Sequence, residues 1–378
     1  MKILFIVNTY GIEYDERILK EANTLKELGH DVHILALELA NNSQIGITNQ
    51  GIPYRTITLL SRRLLPRKRL LSVKGIEMYM RFLFQVKLPK YDIIWIHEHD
   101  VSGLIIIFRI YQLLGSKVKL VWDQHELWPI KRLEMRLYNW LISKSNAIIT
   151  ANEDRAEIMN KIIPSLKTPN KLFIIHNYLD KSIISENIGL NKNFEEWLDG
   201  SKYVLFQGGA FKHRKIFECI EAVYNIGNIK LLIMGPCDSE TLNIINNRWP
   251  DYKNWLFITD WISPSDFLSF MDAAFVSLIF YENIDINHWL CEPNRLYYAI
   301  LRGIPVICGP NPPMRRLIEK YKIGEVVASN GENSSEIEKA LQTVLSNELY
   351  YRTNCTHCRN EFVWQKQKGI VKHIIDNL

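Results

Sequence analysis

Short β-branched runs alternate with longer amphipathic stretches along most of this chain, and the alternation starts afresh near its middle. Parallel strands need a crossover between them, usually a helix, so the pattern predicts βαβ units and parallel sheets. Residues Lys2 to Val7 read as a buried strand. Residues 15–28 carry apolar positions at helical spacing (Ile18, Leu19, Ala22, Leu25, Leu28), with Gly29 as the C-cap. Further strands are predicted over 31–37, 91–97, 117–122, 147–150 and 172–176, which makes residues 1–180 one doubly wound domain. Residues 181–202 show no clear period and read as a connection. The second series has strands over 203–207, 229–234, 256–259, 275–280 and 304–308. Its helices fit at 214–224, 238–248, 263–272, 294–302 and 336–345, the last with Ser335 as N-cap. A second domain thus spans 203–360, and a closing helix 361–378. Two such sheets predict a ligand cleft between domains, beyond the carboxyl ends of the strands.

At 378 residues, two domains of ordinary size are expected. The opening apolar run ends at Val7, too short for a signal peptide, and the aliphatic stretch 104–114 is broken by Arg109. The expectation is a cytoplasmic protein with no membrane span. Six cysteines form no disulfide framework at this length. Cys355 and Cys358 have metal spacing but no second ligand pair in sequence, so they read as incidental thiols on a helix. The net charge of +5 is mild, and no nucleic-acid partner is expected. Its placement is more informative. Arg62, Arg63, Arg67, Lys68, Arg69 and Lys74 fall together, interleaved with or followed by Leu64, Leu65, Leu70, Leu71, Met78, Met80, Phe82 and Phe84. Residues 62–84 therefore read either as a surface for an anionic membrane or as a solvated basic loop entering an ordinary helix.

Two segments suit a phosphate. Gly208 and Gly209 close a strand, where a bare backbone lets an anion come near, and a helix follows with Lys212 and Arg214 at its entrance. A tight turn beside two solvated bases is the other reading. In the second segment Pro293 sets up a helix start, Asn294 and Arg295 stand in its first turn, and Gly303 ends it. Pro305, at the second position of the strand that follows, predicts an edge or first-residue place.

This segment, Pro293-Asn294-Arg295-Leu296-Tyr297-Tyr298 through Gly303, Pro305, Val306 and Ile307, is similar to a signature of glycosyltransferase family 4, the retaining GT-B enzymes. The resemblance covers nearly the whole chain. It also rests on Asp15 and Arg17, Gly29 to Val32, Tyr91 to His97, Asp123 to Glu126, Asn177, Phe206 to Gly209 with Arg214, and Phe362 to Trp364. It implies a nucleotide-diphosphate sugar as donor, held mainly by the second domain, and an acceptor held mainly by the first. Arg214, with Arg295 nearby, would neutralise the diphosphate and so favour the departing charge. His125 would sit near the transferred sugar, its other reading being a satisfied structural histidine. Gly11 could present its N–H to donor or acceptor. Trp261 and Ile262, at a strand end, would lie near the base.

One departure matters. The family's two carboxylates fall here on Leu290 and Tyr298, so Glu292 becomes the candidate to contact donor sugar or ribose, unless it merely caps the helix. A tyrosine cannot accept two hydroxyls as a carboxylate does. No Asp-x-Asp is present, so neither metal nor other cofactor is expected. The expected function is retaining hexosyl transfer, with a UDP-sugar as the commoner donor, to a glycan or lipid-linked acceptor in cell-surface polysaccharide biosynthesis at the inner face of the membrane. The alternatives are an impaired GT-B scaffold or binding subunit, and a nucleotide-sugar epimerase.

Overall fold

The computed structural model describes residues 1–9, 11–38, 44–61, 71–85, 90–98, 101–127, 132–167, 170–185, 188–211, 214–263 and 266–378; the side chains of 38, 71, 72, 83, 85, 132–134 and 167 are outside the description. The chain forms two units, Met1–His176 with Gln367–Leu378, and Asn177–Lys366.

The first unit has an eight-stranded sheet of β1 (Lys2–Thr9), β2 (Asp31–Glu38), β3 (Ile45–Ile47), β4 (Pro53–Ile57), β5 (Ile93–His97), β6 (Lys119–Gln124), β7 (Ala147–Thr150) and β8 (Leu172–Ile174), in the order β3-β4-β2-β1-β5-β6-β7-β8. All neighbours are parallel except β3 and β4. β5 and β7 are buried at every position, as strands covered on both faces must be. The first helix, Glu16–Glu27, starts where Asp15 accepts the Ile18 N–H, and buries Ile18, Leu19, Ala22 and Leu25. The edge pair β3 and β4 has no counterpart among the predicted strands.

The second unit's sheet contains β9 (Tyr203–Gln207), β10 (Lys230–Met234), β11 (Leu256–Ile258), β12 (Val276–Ile279), β13 (Val306–Cys308) and β14 (Gly324–Val326), all parallel, in the order β11-β10-β9-β12-β13-β14. The pleat of β9 sorts two cores. Tyr203 and Leu205 point to one with Phe194, Ile300 and Cys355, while Val204 and Phe206 point to the other with Ile220 and Leu341.

Several expectations are corrected. Residues 181–202 are no bare connection: they include the helices Ser182–Ser185 and Lys192–Leu198, and Phe194 and Leu198 are buried in the second unit's core. The closing segment is not one helix from 361. Phe362, Val363 and Trp364 are buried, the Trp364 N–H bonds the Leu179 carbonyl at 2.7 Å, and the helix is Lys368–Asp376, part of the first unit. The helix expected over 263–272 is one short turn, Phe267–Phe270, among the described residues. The helix Ser334–Ser346 is capped by Asn333, whose side chain accepts the Ser335 N–H, rather than by Ser335. Pro305 precedes an interior strand, β13, and so occupies the first-residue place and not an edge. Cys355 and Cys358 are buried free thiols on the helix Glu348–Cys358; burial pushes both up in pKa, Cys358 to about 11.

Candidate donor pocket and a buried charge cluster

In both sheets the chain reverses its direction of winding at the centre, between β1 and β5 and between β9 and β12. Strand ends at such a reversal splay their loops apart and leave room for a ligand. Each unit places its chemistry there.

In the second unit a cavity of 420 Å³ lies over the ends of β9, β10 and β12. Gly208, Gly209, Arg214, Trp261, Ile262, Asn294 and Arg295, all proposed from sequence, line it. The glycines are sterically required. Gly208 has φ of 106°, and a Cβ there would come within 2.0 Å of Arg214 Nη1. A Cβ on Gly235 (φ 143°) would meet the Gly209 nitrogen at 2.7 Å, so the loops after β9 and β10 touch backbone to backbone.

Two guanidiniums share this cavity. Arg295, from the first turn of the helix Asn294–Leu301, donates Nη1 to the Gln207 carbonyl at 2.8 Å and Nη2 to the Phe280 carbonyl at 3.3 Å. Its guanidinium lies 4.4 Å from the Tyr281 ring centroid, and that of Arg214 lies 5.5 Å from Phe211. Burial and the nearby Arg295 charge lower the Arg214 pKa, and the Nε of each arginine has no hydrogen-bond partner. Among the described residues no carboxylate pairs with either, although Lys215 next door is held by Glu282 and Glu332. The helix Asn294–Leu301 starts at Pro293 without a side-chain cap, and Pro293 and Asn294 also line the cavity. Two guanidiniums and an uncapped helix start can hold an anion here. On its wall Trp261 is 87% exposed, a flat apolar face without a fold-stabilising role.

Two sequence candidates do not line the cavity. Tyr298 packs its ring on Phe267, with centroids 4.9 Å apart. Glu292 accepts the Tyr297 hydroxyl at 2.7 Å. Lys212 lies outside the described residues. Phe211, Pro236, Phe267 and Tyr281 line the cavity but were missed. The signal for Pro236 was available: Gly235-Pro236 follows a predicted strand directly, as Gly208-Gly209 does.

The first unit holds a buried charge cluster. Arg17 grips Asp123 with two bonds (Nε to Oδ2 2.8 Å, Nη2 to Oδ1 2.7 Å) and donates Nη1 to the Ile175 carbonyl at 2.8 Å. His125 is held at both nitrogens: Nδ1 lies 2.6 Å from Glu98 Oε1 and Nε2 lies 3.1 Å from Asp123 Oδ2. Burial opposes charge here, but Glu98 and Asp123 overcome it and raise the His125 pKa to about 10. Despite its own burial, Asp123 is kept well below the usual carboxylate range by Arg17 and His125. Glu21, fully buried 3.2 Å from Arg17, is pushed up by burial and by Asp123. The Arg155 guanidinium donates to the His125 carbonyl. His97, Asp123 and His125 bring ligand atoms within 4.8 Å of one another, as a metal site would. Yet Asp123 already gives both oxygens to Arg17, and both His125 nitrogens face carboxylates. That donor set does not suit a cation. Gly11 adopts an extended backbone with its N–H 3.4 Å from the Thr9 hydroxyl. Glu98, with a left-handed backbone (φ 65°), was missed from sequence, since nothing local reveals that its side chain meets His125.

The two-sheet build is the GT-B fold, and the chain's overall course matches known proteins of that class. Sucrose-phosphate synthase from Thermosynechococcus elongatus superposes with a TM-score of 0.76 at 13% identity, covering 100% of this chain and 98% of the other. HepE from Anabaena, in complex with UDP, gives 0.71 at 12% identity, with 100% of both chains covered. An α,α-trehalose-phosphate synthase (UDP-forming) from Burkholderia vietnamiensis gives 0.72 at 9% identity, again covering 100% of both. Residues 17–182, somewhat under half of the chain, match the family model described as Glycosyltransferase Family 4. Over that segment the family resemblance read from the sequence is borne out. No curated protein matches the chain.

Proposed function

We propose that this chain is a retaining hexosyltransferase that takes a UDP-sugar as donor. The observation that carries this reading is the pair of guanidiniums, Arg214 and Arg295, sharing one cavity with no described carboxylate against them. A like-charge pair of this kind is relieved by a diphosphate. The cavity's other groups suit the rest of a nucleotide: glycines for close approach, the open helix start for a phosphate oxygen, and Trp261 with Ile262 for a base. UDP is favoured because HepE was crystallised with it.

In this reading the arginines gain interaction as the diphosphate departs and its charge grows, so they act on the transition state. They also supply the positive charge that a metal would otherwise bring, and transfer is therefore expected to survive EDTA. Lost activity restored by manganese or magnesium would overturn that point. The donor's own phosphate takes the acceptor proton, and no protein nucleophile is assigned. His125 serves as a fixed cation near the sugar and not as a base, since carboxylates hold both its nitrogens. We assign the acceptor, a glycan or lipid-linked sugar of surface polysaccharide assembly at the cytoplasmic face, to the first unit.

Calorimetry with UDP, GDP and ADP, followed by the rate of UDP release from UDP-sugars without acceptor, tests this. Tight UDP binding with slow release supports a transferase. Binding without any release supports a second reading, a binding subunit, which the position of Tyr298 on Phe267 favours: among the described residues no carboxylate lines the cavity to take the ribose hydroxyls. No binding of any nucleotide overturns both.

A further inference from the structure

In the first unit, two helices lie on the sheet face opposite Glu16–Glu27, because the crossovers from β4 to β5 and from β5 to β6 both run away from β2. These are Leu71–Gln85 and Leu104–Leu113. They touch at Gly103, where a Cβ would come within 2.8 Å of the Tyr79 hydroxyl. The inner stripe of the first buries Lys74, Met78 and Phe82, which removes these three from any surface role. Its outer stripe is apolar as well: Ile76, Met80 and Phe84 are 64%, 45% and 79% exposed. The second helix buries Leu104, Ile105 and Phe108, yet on its outer side Ile110, Leu113 and the adjoining Leu114 are 52%, 72% and 78% exposed. A helix on a soluble fold keeps polar groups on that side, and exposed apolar stripes on two touching helices mark a surface that something covers.

The charge around the face identifies the occupant. Across residues 60–90 and 101–120 the one acid is Glu77, and it is already taken by Arg81 at 2.7 Å and by the Leu60 and Ser61 N–H groups, while Asp92, which lines a cavity with Leu114, Lys117 and Lys119, accepts the Lys2 N–H. Arg81, Arg109, Lys117 and Lys119 belong to the same stretches; Arg62, Arg63, Arg67, Lys68 and Arg69 precede the first helix in sequence and lie outside the described residues. A second copy of this face would meet like charge. An anionic lipid surface meets the bases with phosphate and the apolar stripes with acyl chains. No helix among the described residues is long and apolar enough to cross a membrane, so the contact is one of lying on the surface.

We propose that the outer face of these two helices docks on an anionic lipid surface, with Phe84, Leu113 and Leu114 entering the headgroup boundary. The proposal deepens the transferase reading, on which only its meaning rests: it brings the protein to a lipid-linked acceptor. The docking itself is tested separately. The full chain is sedimented with phosphatidylcholine vesicles, with and without phosphatidylglycerol. Binding is expected only with the anionic lipid, weaker at high salt, and reduced about tenfold or more in Ile110→Glu/Leu113→Glu and in Met80→Ser/Phe84→Ser. UDP affinity, measured in parallel, should be unchanged in either variant that remains folded. Wild type that ignores anionic vesicles, or folded variants that bind them as well as wild type, would overturn the proposal. So would a wild-type dimer that the same substitutions dissociate, which would give the face to a second copy. Vesicle binding without nucleotide binding would break the transferase reading and leave the docking intact.

Discussion

The two strand-end sites treat charge in opposite ways. In the first unit Arg17, Asp123, Glu98 and His125 are neighbours of opposite sign, each held by at least one partner. In the second, Arg214 and Arg295 are neighbours of the same sign, and no described carboxylate joins them. A closed network stabilises the fold that contains it and leaves little freedom for a ligand. An open like-charge pair costs the fold something and is relieved when an anion arrives. The comparison separates residues already paired within the fold from the like-charged pair that the proposed function assigns to substrate.

The sharpest way to break this contrast is to remove one charge from each side. Arg17→Met should lower unfolding free energy by ~3–5 kcal/mol in urea titrations, because Asp123 would be left buried without its main partner. Arg214→Ala should do the reverse for stability, leaving the melting temperature unchanged or higher, while UDP affinity by calorimetry falls roughly 10- to 100-fold. A melting temperature that drops as far for Arg214→Ala as for Arg17→Met would erase the distinction. A finer test uses pH. The His125 value of about 10 lies above the ordinary 6.5, so its contribution to stability is full below pH 6.5 and is lost as pH rises towards 10. Unfolding free energy should decline through that window, and the decline should flatten in Glu98→Gln, whose His125 titration by NMR should move down. The smallest effect concerns Trp261, exposed at the pocket wall. Trp261→Ala should weaken UDP by roughly 1 kcal/mol, about fivefold, with no change in melting temperature.

How much of this was legible in the sequence follows from the range of the interactions involved. β7 and β9 stand where the β-branched and aromatic runs put them, residue for residue, since a strand covered on both faces announces itself locally. The edge strand β3 and its neighbour β4 did not, because Gly46 and Pro53 weaken their pattern and pairing defines them, β3 with β4 and β4 with β2. Residues 181–202 looked like a connection because Phe194 and Leu198 are apolar at a spacing too sparse to reveal a core helix. For the pocket, glycines and bases at strand ends were visible as letters. Tyr281 and Phe211 were not, for an aromatic that stacks under an arginine reads like any core aromatic. Glu98 was hidden for the same reason: its partner is 27 positions away and is met only when β5 and β6 pair.

The helix Lys368–Asp376 has one more consequence, for the order in which this protein comes into being. It belongs to the first unit, where Val371 and Ile374 are fully buried and Lys368 reaches Glu27. During translation residues 177–366 therefore emerge while the first unit still lacks a piece of its own core. The second unit can finish folding before the first, contrary to the usual sequence of domains on the ribosome. A chain released after 366 would hold every residue of the second unit, and a first unit with an open apolar seam. At ~5–20 residues per second, the 190 residues that separate the two pieces of the first unit keep that seam open for roughly 10–40 s.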